Sequence, residues 1–210
     1  MMKPPSLALC SLAATALLAG CAGGPKPVFP HHYTLAGPAG AGAETHAASP
    51  AAAGAILQIT RISVPQWLQG TALYYRLDYR HDGRVSAYAR SDWVAPPASL
   101  LERVIQHQLA AAGAWRAVLE PGSAAIADYD LQIQLNDFSQ SFDGPSTSSG
   151  VLDAVATLVD NHDGGVAAQK HFHLEARAPS ADAAGGVKAL SDASHRFAAQ
   201  LQAWLQSRMQ

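Results

Sequence analysis

Apolar and polar residues alternate one by one along two stretches of the chain, residues 73–80 and residues 129–136. A period of two puts the apolar side chains on one face, which is typical of a strand that packs on a core with that face alone. Other β-rich segments bounded by turn residues predict further strands. The predicted strands lie at residues 33–35 (a short one), 56–64, 73–80, 85–90, 115–119, 129–136, 151–159 and 166–176.

The alternation changes phase inside the strand predicted at residues 56–64. Leu57 and Ile59 occupy odd positions, whereas Ile62 and Val64 occupy even ones. One extra residue in the strand would return all four side chains to the same face, because a β-bulge shifts the alternation by one. The sequence therefore predicts a bulge at residues 60–61.

Three polar segments separate the later strands. Residues 81–84 (HDGR) predict a hairpin turn in which Asp-Gly supplies the positive φ angles. Residues 139–150 (SQSFDGPSTSSG) are interpreted as a longer polar turn, and residues 161–165 as a shorter one.

Helical spacing occurs in two segments. One helix is predicted at residues 98–112, between the prolines at 96–97 and Gly113, which suits the position after a helix end. A second is predicted at residues 186–208. The apolar stripes consist of Leu101, Val104, Ile105 and Leu109 in the first helix and of Val187, Leu190, Phe197, Leu201, Trp204 and Leu205 in the second.

After the short first strand, the element order is therefore βββ-α-ββββ-α. This order predicts an α+β fold, with a mostly antiparallel sheet and two helices packed on one face. The other sheet face is polar and uncovered by helices. It is either solvated or available to a partner.

The N-terminus predicts a targeting signal rather than part of the fold. Lys3 precedes an apolar stretch at residues 7–18, about as long as the core of a signal peptide. A membrane-spanning helix needs about 20 apolar residues. The stretch ends in Leu18-Ala19-Gly20-Cys21, which resembles the bacterial lipobox, whose cysteine thiol accepts the lipid.

The cysteines agree with this interpretation. Cys10 would be removed with a signal at residues 1–20, and Cys21 would become the lipidated N-terminus. Ala22 follows in place of the aspartate that retains lipoproteins in the inner membrane, so by resemblance the anchor is in the outer membrane, facing the periplasm. Residues 21–55 are then tether, short first strand and flexible loop, and residues 56–210 a single domain.

Composition narrows the class of protein. The 210 residues are 49% hydrophobic, but this figure includes the signal and an alanine-rich stretch at residues 36–55, which leaves one modest core. A formal net charge of −2 disfavours nucleic-acid binding, because such proteins usually carry a basic excess.

Catalytic motifs are absent from the sequence: there is no Gly-x-Ser-x-Gly elbow, no His-Glu-x-x-His and no phosphate-binding P-loop. A dispersed Ser-His-Asp triad stays open. The best metal candidate is His171, His173 and Glu175, which alternate on one strand face, but we interpret this face as solvated and predict neither metal nor cofactor.

Four tryptophans remain after the signal. We expect Trp93, Trp115 and Trp204 in the core. Trp67 is the exception because it follows Pro65 in a loop, where an aromatic side chain can form part of a docking site.

Several short motifs resemble the ABC-type transport auxiliary lipoprotein family. Residues 64–68 (VPQWL) and 73–76 (LYYR) are similar to its V-P-x-Y/W-L and I-V-Y-R signature, and residues 33–35 (YTL) to its start. Residues 88–97 (YARSDWVAPP) resemble the segment before its first helix, although the usual acidic residue before the proline is missing. Residues 189–205 resemble its closing helix.

The resemblance implies a non-enzymatic lipoprotein of an MCE-type lipid transport system. Its partners would be an MCE-domain protein and an ABC permease and ATPase, and its cargo a phospholipid or another hydrophobic molecule. Homo-oligomerisation stays open. We expect docking through the uncovered sheet face and the loop at residues 65–71. The docking residues we name are Pro65, Trp67, Leu68, Tyr74 and Arg76.

Two other functions remain as alternatives. One is an outer-membrane assembly or lipopolysaccharide-export lipoprotein, which would share the anchor and the fold. The other is a periplasmic hydrolase with a dispersed triad.

Overall fold

A computed structural model describes residues 29–36 and 54–208 of the chain. The predicted signal, Cys21 and most of the predicted tether and loop lie outside the described residues. The strands are β1 (His31–Tyr33), β2 (Ile56–Ile59), β3 (Ala72–Leu77), β4 (Val85–Trp93), β5 (Ala117–Leu119), β6 (Tyr129–Gly144), β7 (Thr147–Asp160) and β8 (Val166–Arg177); the helices are α1 (Pro97–Ala111) and α2 (Ala183–Gln206).

Strand β6 is the centre of the sheet. One of its edges pairs antiparallel with β7 over nearly its whole length, and β7 in turn pairs with β8. Its other edge pairs in parallel with two strands in succession, first with β2 and then with β3. Strands β5 and β4 continue the sheet beyond β2 and β3, and β1 adds to β4.

The predicted fold class, α+β with two helices against one sheet, is confirmed, and the sheet is mixed. Its longest pairings, β6 with β7 and β7 with β8, are antiparallel. The parallel pairings of β6 arise because α1 carries the chain back across the sheet, so that β6 runs in the same direction as β2 and β3.

The predicted bulge after β2 is confirmed by the register. Ile59 is opposite Leu131, and Ser63 is opposite Gln134, so the β2 segment uses one residue more than β6 over the same distance. Ile59 and Ile62 are consequently both buried. The backbone N–H of Ile62 leaves the ladder and donates to the Glu102 carboxylate of α1, 2.8 Å away.

The predicted turn at residues 139–150 is wrong. Strand β6 continues to Gly144, and β7 begins at Thr147. The polar side chains there bond to one another across the strands: Gln140 Nε2 donates to Ser148 Oγ over 2.8 Å, and both residues are buried. The prediction failed because a polar segment is usually a turn, and composition alone does not show that these polar side chains pair with each other inside the sheet.

The hairpin between β3 and β4 differs in detail from its prediction. Strand β3 ends at Leu77, and a short 3-10 turn (Asp78–Arg80) replaces its predicted last residues. Gly83 has the predicted positive φ angle, 62°, but the second positive φ angle, 52°, is at His81 rather than at Asp82.

Both helices bury the predicted apolar stripes. Leu101, Ile105 and Leu109 of α1 meet the core, and Val104 is half-buried beside it. All six stripe residues of α2 are buried, and Trp93 and Trp115 are also in the core as predicted. None of the helices in the described ranges is long and apolar enough to span a membrane.

The start of α2 approaches the sheet so closely that a Cβ atom on Gly186 would overlap the side chain of Gln140 on β6. Asp182 caps the helix by accepting a hydrogen bond from the Gly185 N–H over 2.8 Å. On the sheet next to this helix start, the hydroxyl of Tyr88 donates a hydrogen bond to Oε1 of the buried Gln140 over 2.8 Å. Burial, then Tyr75 and Asp182, raise the pKa of Tyr88 to about 12, so Tyr88 stays a neutral donor.

Candidate functional site

The sheet face turned away from the helices, which we call the open face, carries most of the predicted docking residues. Its polar positions are fixed by register, because side chains alternate between faces and opposed residues share one. Gln132 is opposite Thr157, and Thr157 is opposite Gln169. The described side chains of the open face include Tyr74, Arg76, Gln132, Gln134, Asp137, Asp153, Val155, Thr157, Gln169, His171, His173 and Glu175.

A hydrogen-bonded chain of acids and histidines crosses this face. Asp153 on β7 lies 2.8 Å from His171 Nε2 and 3.1 Å from His173 Nδ1, both on β8. The other ring nitrogen of His173 is 3.2 Å from Glu175 Oε1. Asn136 donates to the second oxygen of Asp153 over 3.0 Å. Both oxygens of this carboxylate are therefore occupied.

The ionisation of this group follows from its contacts. Partial burial acts to raise the pKa of Asp153, but hydrogen bonds from Asn136, His173 and His171 outweigh it and hold that pKa below its ordinary value. Hydrogen bonds to Asp153 and then to Glu175 raise the pKa of His173 above its ordinary value. The cluster therefore favours an ionised Asp153 and, in mildly acidic solution, a cationic His173.

We expect the ion pair between His173 and Asp153 to make the stability of the fold depend on pH. A histidine whose pKa is higher in the folded state than in the unfolded state stabilises the fold in its protonated form. This stabilisation is complete at pH values below the unfolded-state pKa, and it disappears as pH rises through the folded-state pKa. The native chain should therefore gain melting temperature on going from pH 8 to pH 5.5, and His173→Gln should lack this gain. The expected difference between the two proteins is about 1–3 °C, because an exposed ion pair contributes at most about 1 kcal/mol to stability.

Thermal unfolding followed by circular dichroism at the two pH values measures this difference. His107→Gln is the control, since His107 is exposed on α1. An identical pH dependence for native protein and His173→Gln would contradict the pairing.

Arg76 connects β3 to the centre of the open face. Its guanidinium bonds the carboxylate of Asp137, which also accepts a hydrogen bond from Ser139 over 2.7 Å. Arg76 Nε lies 3.5 Å from Asp78 Oδ1. Two carboxylates hold the guanidinium in one orientation, with about a quarter of the side chain exposed to solvent.

Trp67 and Tyr74 form an aromatic pair next to Arg76. Trp67 lies in a short 3-10 turn (Gln66–Leu68) that begins directly after Pro65. Its ring meets that of Tyr74 edge to face, with 5.1 Å between the centroids. Both rings are half-buried and pack against the core. Tyr74 and Arg76 share one face of β3 because they are two residues apart.

The predicted docking residues therefore divide into two groups. Trp67, Tyr74 and Arg76 are brought together and present part of their surface to solvent. Leu68 is fully buried, so it packs in the core rather than meeting a partner, and Pro65 is half-buried at the start of the turn. The predicted lipidation residue, Cys21, lies outside the described residues.

Two acidic residues of the site were missed from the sequence, Asp137 and Asp153. Each belongs to a long strand where its neighbours gave no signal of a special role. The only available signal was the strand alternation that puts Asp153 on the polar face of β7. Their contacts with Arg76 and with the histidines depend on the register between strands.

His171, His173 and Glu175 share one face as the sequence predicts, and they bond to carboxylate or imidazole partners there. Within the part of the chain that the structure describes, no group of three or more His, Cys, Asp or Glu side chains is arranged to hold a metal ion. The open face thus combines an aromatic pair, an oriented guanidinium and a polar chain, which suits the binding of another macromolecule.

Comparison with known proteins places the chain in a family. A family model described as ABC-type transport auxiliary lipoprotein component matches residues 33–202. Comparison with curated proteins returned no match.

Solved structures share the fold. The chain is similar to a protein of Xanthomonas campestris assigned to the DUF330 family, with a TM-score of 0.68 and 21% identity over 74% of this chain and 85% of that one. It is similar to an uncharacterized protein with a TM-score of 0.65 and 16% identity, over 85% and 99% of the two chains. A hypothetical protein of Chlamydia trachomatis gives 0.52 and 9%, over 74% and 98%.

Proposed function

The chain belongs to the family of ABC-type transport auxiliary lipoprotein components, and from this premise we propose that it is a non-enzymatic docking subunit of an MCE-type lipid transport system. In this proposal, the protein is anchored in the outer membrane and faces the periplasm. It binds the MCE-domain protein. An ABC permease and ATPase in the inner membrane belong to the same transport system. A phospholipid or a similar hydrophobic molecule is the cargo.

The N-terminal sequence supports the anchor. Cys21 stands at the end of a lipobox-like motif, and β1 begins ten residues later at His31. Ten residues reach at most about 35 Å when fully extended. A lipid on Cys21 would therefore keep the domain close to the membrane surface, with β1 at the sheet edge nearest to the tether.

The observation that carries the docking proposal is the pairing of Trp67 with Tyr74 beside Arg76 on the open face. Tryptophan, tyrosine and arginine are the residues most enriched at the energetic centres of protein interfaces. All three are already held in one conformation, the rings by each other and by the core, and Arg76 by its carboxylates. Binding then costs little additional side-chain entropy.

The polar residues to one side of this centre suit part of an interface rim. Asp153, His171 and His173 stand on neighbouring strands and stay accessible to water. A rim of this kind contributes to orientation and to the rate of association more than to affinity. In this proposal the MCE-domain protein covers the aromatic centre and extends over the polar chain, which lies to one side of that centre on β6, β7 and β8.

We expect Trp67→Ala to weaken docking about tenfold without unfolding the domain. Truncating an aromatic residue at an interface centre commonly costs 1 kcal/mol or more, and about 1.4 kcal/mol corresponds to a factor of ten. The measurement is co-purification of the MCE-domain protein with the full-length lipoprotein after cross-linking in cells, quantified against the native chain.

Two further variants separate docking from folding. Trp67→Leu keeps an apolar side chain against the core but removes the indole, so it should fold normally and still dock poorly. Ile126→Ala is the matched control, because Ile126 is 91% exposed in the loop before β6. Native-level capture by folded Trp67→Leu, or failure of the native chain to capture any MCE or ABC component, would contradict the proposal.

A further inference from the structure

The direction of β1 determines from which side the N-terminal segment approaches the sheet. Strand β1 is parallel to β4, and His31 is opposite Ser91. Strand β4 begins at Val85, directly after its hairpin connection with β3, so the chain reaches β1 from the side of that hairpin. We call this side of the sheet the near end. It also contains the turn between β6 and β7, because β3 and β6 are parallel and end together.

The opposite side of the sheet, which we call the far end, contains the start of β6 at Tyr129, the end of β7 at Asp160 and the start of β8 at Val166. Exposed apolar side chains occur at both ends, with Val85 at the near end and Ile126 and Val166 at the far end. Exposure alone therefore does not show which end meets a membrane.

The length of the N-terminal segment distinguishes the two ends. Through β4 and β3, His31 is level with about Phe138 of β6. At about 3.3 Å per residue, Gly144 at the near end is then about 20 Å away, and Tyr129 at the far end about 30 Å away.

Cys21 precedes His31 by ten residues, which reach at most about 35 Å. A lipid on Cys21 can therefore lie beside the near end with chain to spare. To place the far end on the membrane, the same segment would have to turn back and extend almost to its limit. The near end is consequently the side that an anchored domain turns toward the bilayer.

The hairpin at the near end carries side chains that suit a lipid surface. Arg80 and Arg84 are exposed, and Val85 is 41% exposed. Tyr79 is half-buried, and the guanidinium carbon of Arg80 lies 5.9 Å from the centre of its ring. Tyrosine is enriched where a membrane meets water, and a guanidinium forms paired hydrogen bonds with a phosphate.

The two arginines of the hairpin are available to bind phosphate, whereas its carboxylates have partners inside the protein. Asp78 pairs with Arg76 of β3. Asp82 accepts a hydrogen bond from the backbone N–H of Arg84 over 3.0 Å. Among the described residues, no ion pair involves the side chain of Arg80 or Arg84. Their guanidinium groups therefore have no carboxylate to exchange for a lipid phosphate.

We propose that the hairpin at residues 79–85 rests on the phospholipid bilayer that holds the lipid anchor. Arg80 and Arg84 bind lipid phosphates, and Tyr79 and Val85 lie among the headgroups. The strands then lead away from the membrane, so the open face stays uncovered by lipid and free for a protein partner. This inference rests on the lipid anchor of the proposed function, but it does not depend on which protein docks.

Fluorescence quenching in vesicles measures which part of the full-length chain touches the bilayer. The lipidated protein carries a polarity-sensitive fluorophore on one introduced cysteine, and the vesicles contain phosphatidylethanolamine, phosphatidylglycerol and a dibrominated phospholipid as the quencher. Val85→Cys and Val166→Cys are a matched pair, because each valine is the exposed first residue of its strand. Val85→Cys should be quenched several-fold more strongly than Val166→Cys, and also more strongly than Gln132→Cys on the open face.

Charge variants test the contact with phosphate. Replacing both Arg80 and Arg84 with glutamine should lower the quenching of Val85→Cys several-fold, because each cation lost near an anionic surface weakens binding about fivefold. The matched control replaces Arg103 and Arg116, two exposed arginines outside the hairpin, and should leave the quenching unchanged.

Two results would overturn the proposal. One is equal or stronger quenching at Val166→Cys or Gln132→Cys, and the other is unchanged quenching at Val85→Cys after both hairpin arginines are replaced. Palmitate incorporation into the same samples separates this inference from its premise. A lipidated chain quenched at the far end contradicts the orientation alone, whereas a chain without lipid contradicts the anchor on which the orientation rests.

Discussion

Replacing Cys21 with alanine is expected to abolish lipid attachment and to remove the protein from the outer-membrane fraction. The thiol of Cys21 is the proposed site of the lipid, and the chain offers no other cysteine outside the predicted signal. Each buried methylene contributes about 0.8 kcal/mol to membrane binding, so two or more acyl chains anchor a protein stably and their loss leaves almost nothing. Incorporation of labelled palmitate and gradient separation of the two membranes measure the effect.

Cys10→Ala is the matched control for this experiment. Cys10 lies inside the predicted signal, so its replacement should leave labelling and localisation unchanged. Palmitate incorporation into Cys21→Ala at the native level would contradict the assignment of the lipidation site. Loss of labelling in Cys10→Ala would contradict the predicted boundary of the signal.

Replacing Gly150 with alanine should cause a large loss of stability, although the change adds a single methyl group. A Cβ atom at this position would lie 2.6 Å from Leu190 N and 2.7 Å from Ala189 C, which are main-chain atoms of α2. The helix would have to move away from β7. Overpacking of this kind costs about 3 kcal/mol, equivalent to a melting temperature about 6–12 °C lower.

Gly70→Ala is the control for the loss of a glycine, because a Cβ there meets nothing within 4 Å. Its melting temperature should stay within about 2 °C of the native value. Thermal unfolding by circular dichroism measures both variants. Equal melting temperatures for Gly150→Ala and Gly70→Ala would contradict the close approach of α2 to the sheet.

The predictable part of this fold rests on local periodicity. The change of parity between Ile59 and Ile62 predicted a bulge, and the register contains it. The segment at residues 139–150 failed because Gln140 and Ser148 satisfy each other inside the sheet. A buried polar pair has the same composition as a turn, and only the pairing of the two strands distinguishes them.

In the candidate site, too, the sequence predicted the features that depend on local spacing and missed those that depend on contacts between distant residues. Tyr74 and Arg76 share a face by their spacing, and Trp67 was recognised from its place after Pro65. Asp137 and Asp153 were not, because the first meets Arg76 from 61 residues away and the second meets histidines of another strand. The burial of Leu68 depends equally on what packs around the turn.

The two-sided pairing of β6 also determines the order in which this protein can fold. The β2 segment meets the β6 region through Ile56 and Asp128, 72 residues apart, whereas Gln140 and Ser148 are eight apart. Long-range parallel pairing is slow, because a large loop must close before any contact compensates its entropy. Under the proposed export, with the N-terminus leading, β2 and β3 would arrive long before β6, the strand that pairs with both. Strand β3 can pair at once with β4, the next strand along the chain, whereas β2 has to wait for β5 and β6.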